Sequence, residues 1–176
     1  MSTSRSSDET TKLLYTAKAH TTGGRAGGAS RTSDGRLDVQ LSAPGGPGHG
    51  TNPEQLFAVG WSACFLSAIK HTASQMKVNL PAEVAIDPEV ELRSASDGYF
   101  LRARLNVSMP GLERQVAQSI VDLAHQACPY SKATRGNIDV AINLVETGNA
   151  ETSGKRAPRK RATGSWPTNR FRMTRP

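Results

Sequence analysis

The sequence predicts an α+β fold built on antiparallel sheet, and two observations carry that expectation. Most apolar-alternating segments are joined by turn signals rather than helical crossovers: Ser33-Asp34-Gly35 precedes one strand, and Ser96-Asp97-Gly98 divides two others. Between them runs one long segment, Thr51 to Lys70, that opens like a helix and is apolar or small on nearly every face.

Residues 1–11 are polar and Ser/Thr-rich, which predicts a disordered N-terminus. Leu13, Tyr15, Ala17 and Ala19 then alternate with polar neighbours as a first strand. Thr22-Gly23-Gly24-Arg25-Ala26-Gly27-Gly28 is a turn-rich link presenting one cation; its glycine spacing fits neither a Walker loop nor a dinucleotide fingerprint. Leu37, Val39 and Leu41 form the strand after the hairpin turn, and Ala43 to Gly50 is an irregular loop.

The central helix has a marked beginning. Asn52 is a good N-cap, Pro53 stands where its missing N–H costs nothing, and Gln55 sits where a capping box takes Glu or Gln. From Leu56 to Ile69 the 14 residues are too few to span a bilayer, which takes about 20, so this is a core helix. One sheet and one further helix cover such a helix poorly, and a homodimer with the two core helices packed together answers that need.

Strand material follows at Val84–Ile86 and Val90–Arg93. Leu101, Ala103, Leu105, Val107 and Met109 alternate with Arg102, Arg104 and Asn106 as a strand with one wet face, ended by Pro110-Gly111. Leu112, Val116, Ile120, Leu123 and Ala127 recur at helical spacing and lead into Cys128-Pro129, where the proline ends the helix or starts a short new one. Ile138 to Leu144 alternate as a final strand, so the folded body spans 12–146.

The formal net charge of +7 is confined to the end of the chain. Residues 1–146 hold 14 basic and 14 acidic side chains, whereas 147–176 hold eight basic and one acidic. The tail 147–176 has no apolar period and is expected to be disordered, with weak attraction to polyanions as its one evident property. No specific nucleic-acid binding is expected of the body. The N-terminus has no apolar core of a signal peptide and no segment reads as membrane-spanning, which predicts a cytoplasmic protein.

Two cysteines in a reducing compartment point to chemistry or metal rather than a permanent staple. Cys64 by itself reads as an inert buried thiol. Zinc requires about four close-paired ligands, yet Cys64 and Cys128 are isolated and His20, His49, His71 and His125 are scattered, so no metal or other cofactor is expected. A Cys–His hydrolase using His71 or His125 lacks any matching local motif around Cys64. The remaining reading is a redox pair. It requires a thiolate, which an apolar helix disfavours, and so a cation near Cys64, best oriented by a carboxylate.

Thr22-Gly23-Gly24-Arg25, Thr51-Asn52-Pro53-Glu54-Gln55-Leu56-Phe57, Ser62-Ala63-Cys64-Phe65 and the run from Ala127-Cys128-Pro129-Tyr130 through Arg135-Gly136-Asn137 to Val140 carry a resemblance. In order and spacing they resemble the organic hydroperoxide resistance (Ohr) branch of the OsmC/Ohr family over about residues 12–146. The resemblance implies an OsmC-like fold, with antiparallel sheets wrapped around central helices in an intertwined homodimer. It implies a thiol peroxidase that reduces alkyl and fatty-acid hydroperoxides to alcohols in oxidative-stress defence. Cys64 would attack the peroxide and become a sulfenic acid, and Cys128 would condense with it to a disulfide. Arg25 would stabilise the Cys64 thiolate, Glu54 would hold Arg25, and dihydrolipoamide or a lipoylated protein would reduce the disulfide. An OsmC-type peroxidase with another peroxide preference is the alternative, and a polyanion-binding protein acting through the tail is a more distant one.

Three departures accompany the resemblance: a short Ala43–Gly50 loop, Trp61 where Tyr is usual, and the basic tail. Phe57, Trp61 and Phe65 are candidates to line an apolar site, with plain core packing as the alternative for each. On an unbroken helix Glu54 and Cys64 lie about 15 Å apart along the axis, so Glu54 reaches Cys64 within one chain only if the helix breaks or Arg25 spans the gap. The alternative, in which the Arg25–Glu54 pair serves the Cys64 of the other subunit, is the arrangement expected here.

Overall fold

The computed structural model describes residues 12–145, so the expectations for the N-terminus 1–11 and the tail 147–176 lie outside the described residues. The order is β1 Ala19–Thr22, β2 Ala29–Thr32, β3 Asp38–Gln40, α1 Pro53–Gln75, β4 Ala85–Ala95, β5 Gly98–Ser108, α2 Arg114–Ala127, α3 Pro129–Thr134 and β6 Asp139–Val145. Two three-stranded sheets result, β1-β2-β3 and β4-β5-β6. The α+β class stands, with hairpins throughout the first sheet and between β4 and β5. Only β6 runs parallel to its neighbour, because α2 and α3 carry the chain back across the sheet before it pairs with β5.

Several boundaries differ from the sequence reading. Residues 12–18 have no regular secondary structure, and the first strand starts at Ala19. Leu13, Leu14 and Tyr15 are largely exposed, so that apolar alternation finds no strand partner among the described residues. The segment β2 (ASRT) has no apolar alternation and is held by pairing on both sides instead. Ala85-Ile86 and Val90–Arg93 belong to one strand that runs through Pro88, with Val84 just before its start. That proline is tolerated because β4 is an edge strand, bonded to β5 alone.

Helix α1 begins as its sequence dictates: the Asn52 side chain accepts from the Gln55 amide at 2.9 Å. The Gln55 side chain takes the Thr51 hydroxyl at 2.8 Å, one residue short of a full capping box. The helix runs on past Lys70 to Gln75, and its end is closed by Lys77, whose φ of 56° is a left-handed conformation usually left to glycine. The Val78 amide bonds the Ala73 carbonyl at 2.9 Å there.

Within one chain, α1 buries a single stripe, Trp61, Phe65, Ile69 and Ala73. These residues meet Ala103, Leu105 and Val107 of β5 and Ala117, Ile120, Val121 and Ala124 of α2 in one core cluster that also contains Cys128. The other faces of α1 are not covered in the same way, and Val59 is 67% exposed. The outer face of the large sheet carries the ion pairs Arg102–Asp139, Arg104–Glu89 and Arg93–Glu91. Leu41 exchanges backbone bonds with Gly27 and Gly28 of the β1–β2 turn, and the small sheet is tied to the start of α1 through Thr51, whose amide bonds the Gln40 carbonyl at 2.9 Å and whose carbonyl accepts from the Ser42 amide at 2.8 Å.

Candidate active site

Cys64 sits near the middle of α1, half-buried, one position before the fully buried Phe65. Cys128 is fully buried where α2 ends and α3 begins, and it serves as the last cap of one helix and the first of the other. Its extended backbone (φ −61°, ψ 125°) follows from Pro129, which disfavours helical conformation in the residue before it and is well suited to the first position of α3. The corner turns the Cys128 side chain onto α1, where its thiol donates to Cys64 Sγ at 3.5 Å. The two sulfurs are not bonded to each other.

Burial pushes the Cys64 thiol above its ordinary value, the Tyr130 backbone N–H pulls it down, and the Cys128 thiol adds to the rise. No guanidinium of the same chain is among these influences. Left with these neighbours alone, Cys64 is a weak nucleophile, because the thiolate is the reactive form.

The corner is braced against α1 by aromatic side chains. Trp61 is completely buried and its indole N–H reaches Ser131 Oγ at 3.4 Å. Phe57 lies between Trp61 and Tyr130, with ring centroids 5.4 Å and 6.1 Å away. Gly60 makes room for Tyr130: a Cβ there would stand 3.1 Å from the tyrosine oxygen. Sequence reasoning missed Gly60 and Ser131, since neither shows a period or a charge; a glycine inside an otherwise good helix was the available signal.

The second candidate pair lies at the start of α1. Arg25, in the turn between β1 and β2, donates to Glu54 Oε1 at 2.5 Å. The turn needs its glycines: a Cβ at Gly28 would fall 2.1 Å from the Thr22 carbonyl oxygen. The Glu54 side chain is only 10% exposed, the Arg25 side chain 41%. Glu54 Oε2 is buried with no protein partner. A cavity of about 390 Å³ opens beside the pair, lined by Arg25, Glu54, Phe57, Leu92, Phe100 and Leu101 among others.

The four predicted residues thus form two pairs, Cys64 with Cys128 and Arg25 with Glu54. Helix α1 is unbroken from Pro53 to Gln75, so the ten-position separation of Glu54 and Cys64 keeps them about 15 Å apart along the axis.

Among the described residues neither His71 nor His125 is hydrogen-bonded to a cysteine. His71 is exposed. The His125 ring meets Phe65 edge-on at 6.4 Å, and its Nδ1 is buried without a hydrogen bond. Among the described residues no group of three or more His, Cys, Asp or Glu side chains converges as a metal site would require. No helix among them is long and apolar enough to cross a membrane.

Comparison with known proteins places this arrangement in context. The family described as OsmC-like protein matches residues 46–143. The organic hydroperoxide resistance protein of Xanthomonas axonopodis pv. citri is 50% identical over 138 residues, covering 76% of this chain and 96% of the relative. The organic hydroperoxide resistance protein OhrB of Bacillus subtilis is 44% identical over 136 residues, 74% of this chain and 98% of the relative. The crystal structure of that OhrB superposes with a TM-score of 0.71 at 40% identity, covering 76% of this chain and all of the other. The crystal structure of an organic hydroperoxide resistance protein from Legionella pneumophila gives 0.71 at 44% identity, covering 76% and 98%.

Proposed function

The chain belongs to the OsmC family, in its organic hydroperoxide resistance branch, and from that premise we propose that it is a two-cysteine peroxidase acting on organic hydroperoxides. Its place among these relatives supports a role as a hydroperoxide-detoxifying redox enzyme in oxidative-stress defence. The observation that carries the two-cysteine mechanism is the 3.5 Å approach of Cys64 and Cys128 across 64 residues of chain.

In the proposed cycle the Cys64 thiolate attacks the distal oxygen of R–OOH. The O–O bond breaks, Cys64 becomes a sulfenic acid, and the alkoxide takes a proton and leaves as the alcohol. The Cys128 sulfur then attacks the sulfenic sulfur, a disulfide forms, and the hydroxyl leaves as water. The two cysteines together supply the two electrons. Resolution by a nearby thiol protects the sulfenic acid from irreversible over-oxidation. Closing from 3.5 Å to a bonded ~2.05 Å asks for movement of about 1.5 Å. The rigid middle of α1 gives little of that, and the non-helical Cys128 corner gives most.

Arg25 is assigned to stabilise the thiolate and polarise the peroxide, and Glu54 to orient Arg25 through a charge-assisted bond. The distance along α1 and the uncovered faces of that helix support a homodimer in which each Arg25–Glu54 pair serves the partner subunit's Cys64. The aromatic and aliphatic lining beside Arg25 favours alkyl chains over hydrogen peroxide as the substrate's remainder. A dihydrolipoamide or lipoylated protein reduces the disulfide in this scheme, and the protein acts in the cytoplasm.

A peroxide-consumption assay with dihydrolipoamide tests the assignment. Wild-type protein consumes an alkyl hydroperoxide and Cys64→Ser does not; equal consumption by the two proteins contradicts it. Mixing Cys64→Ser with Arg25→Ala subunits tests the shared site: regained activity supports it, and none counts against it.

A further inference from the structure

The motif that supplies Cys128 continues through Thr134-Arg135-Gly136, and the proposed chemistry leaves Arg135 without a task. Its position is informative. Arg135 is the residue that caps the end of α3, and its guanidinium donates to the backbone carbonyl of His125 in the last turn of α2 at 2.7 Å. Among the described residues it pairs with no carboxylate, unlike Arg25, Arg93, Arg102 and Arg104. Residues 125 and 135 stand on either side of Cys128, so this one bond closes the α2–α3 corner into a loop with the cysteine inside it.

The bond answers a local need. The last carbonyls of a helix have no intrahelical partner. The Cys128 amide takes the Ala124 carbonyl at 2.8 Å, and the chain then departs at ψ 125° toward Pro129, which has no N–H to offer. Arg135 supplies the missing donor to His125, and a cation is favourable at a helix C-terminus. Inside the loop, the Lys132 amide bonds the Cys128 carbonyl at 2.9 Å and the Thr134 hydroxyl bonds the Tyr130 carbonyl at 2.9 Å. Each end of the corner is fixed within its own helix; among the described residues only the Arg135–His125 bond fixes one end to the other by hydrogen bonding.

We infer that Arg135 is a positioning residue for the resolving cysteine: by clasping α2 to α3 it keeps Cys128 within attacking distance of the Cys64 sulfenic acid. The inference rests on the two-cysteine reading above. Holding reacting atoms in a near-attack arrangement speeds a step without touching the reacting groups. Without the clasp the corner samples wider openings, the sulfenic acid lives longer, and a second hydroperoxide molecule has time to oxidise it to the sulfinic acid. Tyr130 against Gly60 and Ser131 on Trp61 still hold α3 to α1, so the fold itself survives loss of the clasp.

Single-turnover oxidation of the full-length chain by tert-butyl hydroperoxide, quenched at intervals and read by intact mass, separates the two steps. Reduced, sulfenic and disulfide forms are followed in wild type, Arg135→Ala and Arg135→Lys. Arg102→Ala, which breaks an exposed ion pair on the far face of the sheet, is the control. The expected result is an unchanged first step, a disulfide step at least threefold slower in Arg135→Ala, and a larger sulfinic fraction at excess peroxide. Arg135→Lys keeps a cationic donor and falls between, and Arg102→Ala matches wild type. A disulfide step unchanged in Arg135→Ala, or slowed equally in Arg102→Ala, overturns this inference alone. A wild-type chain that consumes hydroperoxide without forming the Cys64–Cys128 disulfide overturns the two-cysteine reading and this inference with it.

Discussion

Tyr130 lies over Gly60, and a single added carbon at Gly60 would stand 3.1 Å from the tyrosine hydroxyl oxygen. That contact docks the Cys128 corner on the helix carrying Cys64, at a position where a helix interior would otherwise favour alanine. Replacing Gly by Ala inside a helix gains about 0.5–1 kcal/mol where space is open. Gly60→Ala should therefore stabilise the Tyr130→Ala protein by that amount and the wild-type protein by clearly less. Urea denaturation of the four proteins of this cycle measures the difference, and an equal gain in both backgrounds contradicts the contact.

Lys77 closes α1 in a left-handed conformation, at φ 56°. Such a conformation costs an L-residue with a side chain roughly 1–2 kcal/mol, partly offset by the greater unfolded-state entropy of glycine. Lys77→Gly should raise stability by about 0.5–1 kcal/mol with no change in peroxide consumption. Thermal or urea unfolding checks it; a loss of stability would show that the lysine side chain contributes more than its strain.

The imidazole of His125 is held below its ordinary 6.5, first by burial and then by the charge of Arg135, with Asp122 opposing weakly. A histidine with a depressed value takes up its proton later in the folded chain than in the unfolded one. Its contribution to stability is therefore present above about pH 6.5 and is lost as the pH falls through that value toward the folded-state one. His125→Gln should flatten the decline in stability between neutral and mildly acidic pH. An unchanged decline in denaturant midpoints across that range would remove His125 as its source.

Within its own chain Cys64 is pushed toward the unreactive thiol, chiefly by burial. If the partner subunit's Arg25 supplies the missing charge, alkylation of Cys64 in a Cys128→Ser background reports it. Rates rise with pH as the thiolate forms. The rise should shift to higher pH in Arg25→Ala, and in Glu54→Gln by a smaller amount. Superimposable pH profiles for wild type and Arg25→Ala would contradict this role.

Much of the scaffold was legible in the residues themselves. Asn52-Pro53 marked the start of α1, the spacing from Leu112 to Ala127 marked α2, and the alternation from Leu101 to Met109 marked β5, because each element buries one regular face. The small sheet was harder. Its strand β1, Ala19–Thr22, is exposed along its whole length, and β2 is four residues of ASRT, so backbone pairing defines them rather than apolar pattern. Strand β4 read as two pieces because Pro88 interrupts it, and only its edge position makes that harmless. The site was legible in another way. No periodicity brings position 64 to position 128; the family resemblance supplied the pair, and the Pro129 corner is the physical device that places the two sulfurs together. Glycines and backbone carbonyls, such as Gly60 and the His125 oxygen, leave no mark in sequence pattern because their part depends on what folds against them.

The central claim is that Cys64 and Cys128 act as one two-electron unit, and one measurement reaches it most directly. Reduced full-length protein is treated with one equivalent of an alkyl hydroperoxide under non-reducing conditions, digested, and mapped by mass spectrometry. The expected product is a Cys64–Cys128 linked peptide that dihydrolipoamide restores to two free thiols, with alcohol released in equal amount. Stoichiometric peroxide consumption that leaves Cys128 a free thiol would contradict it.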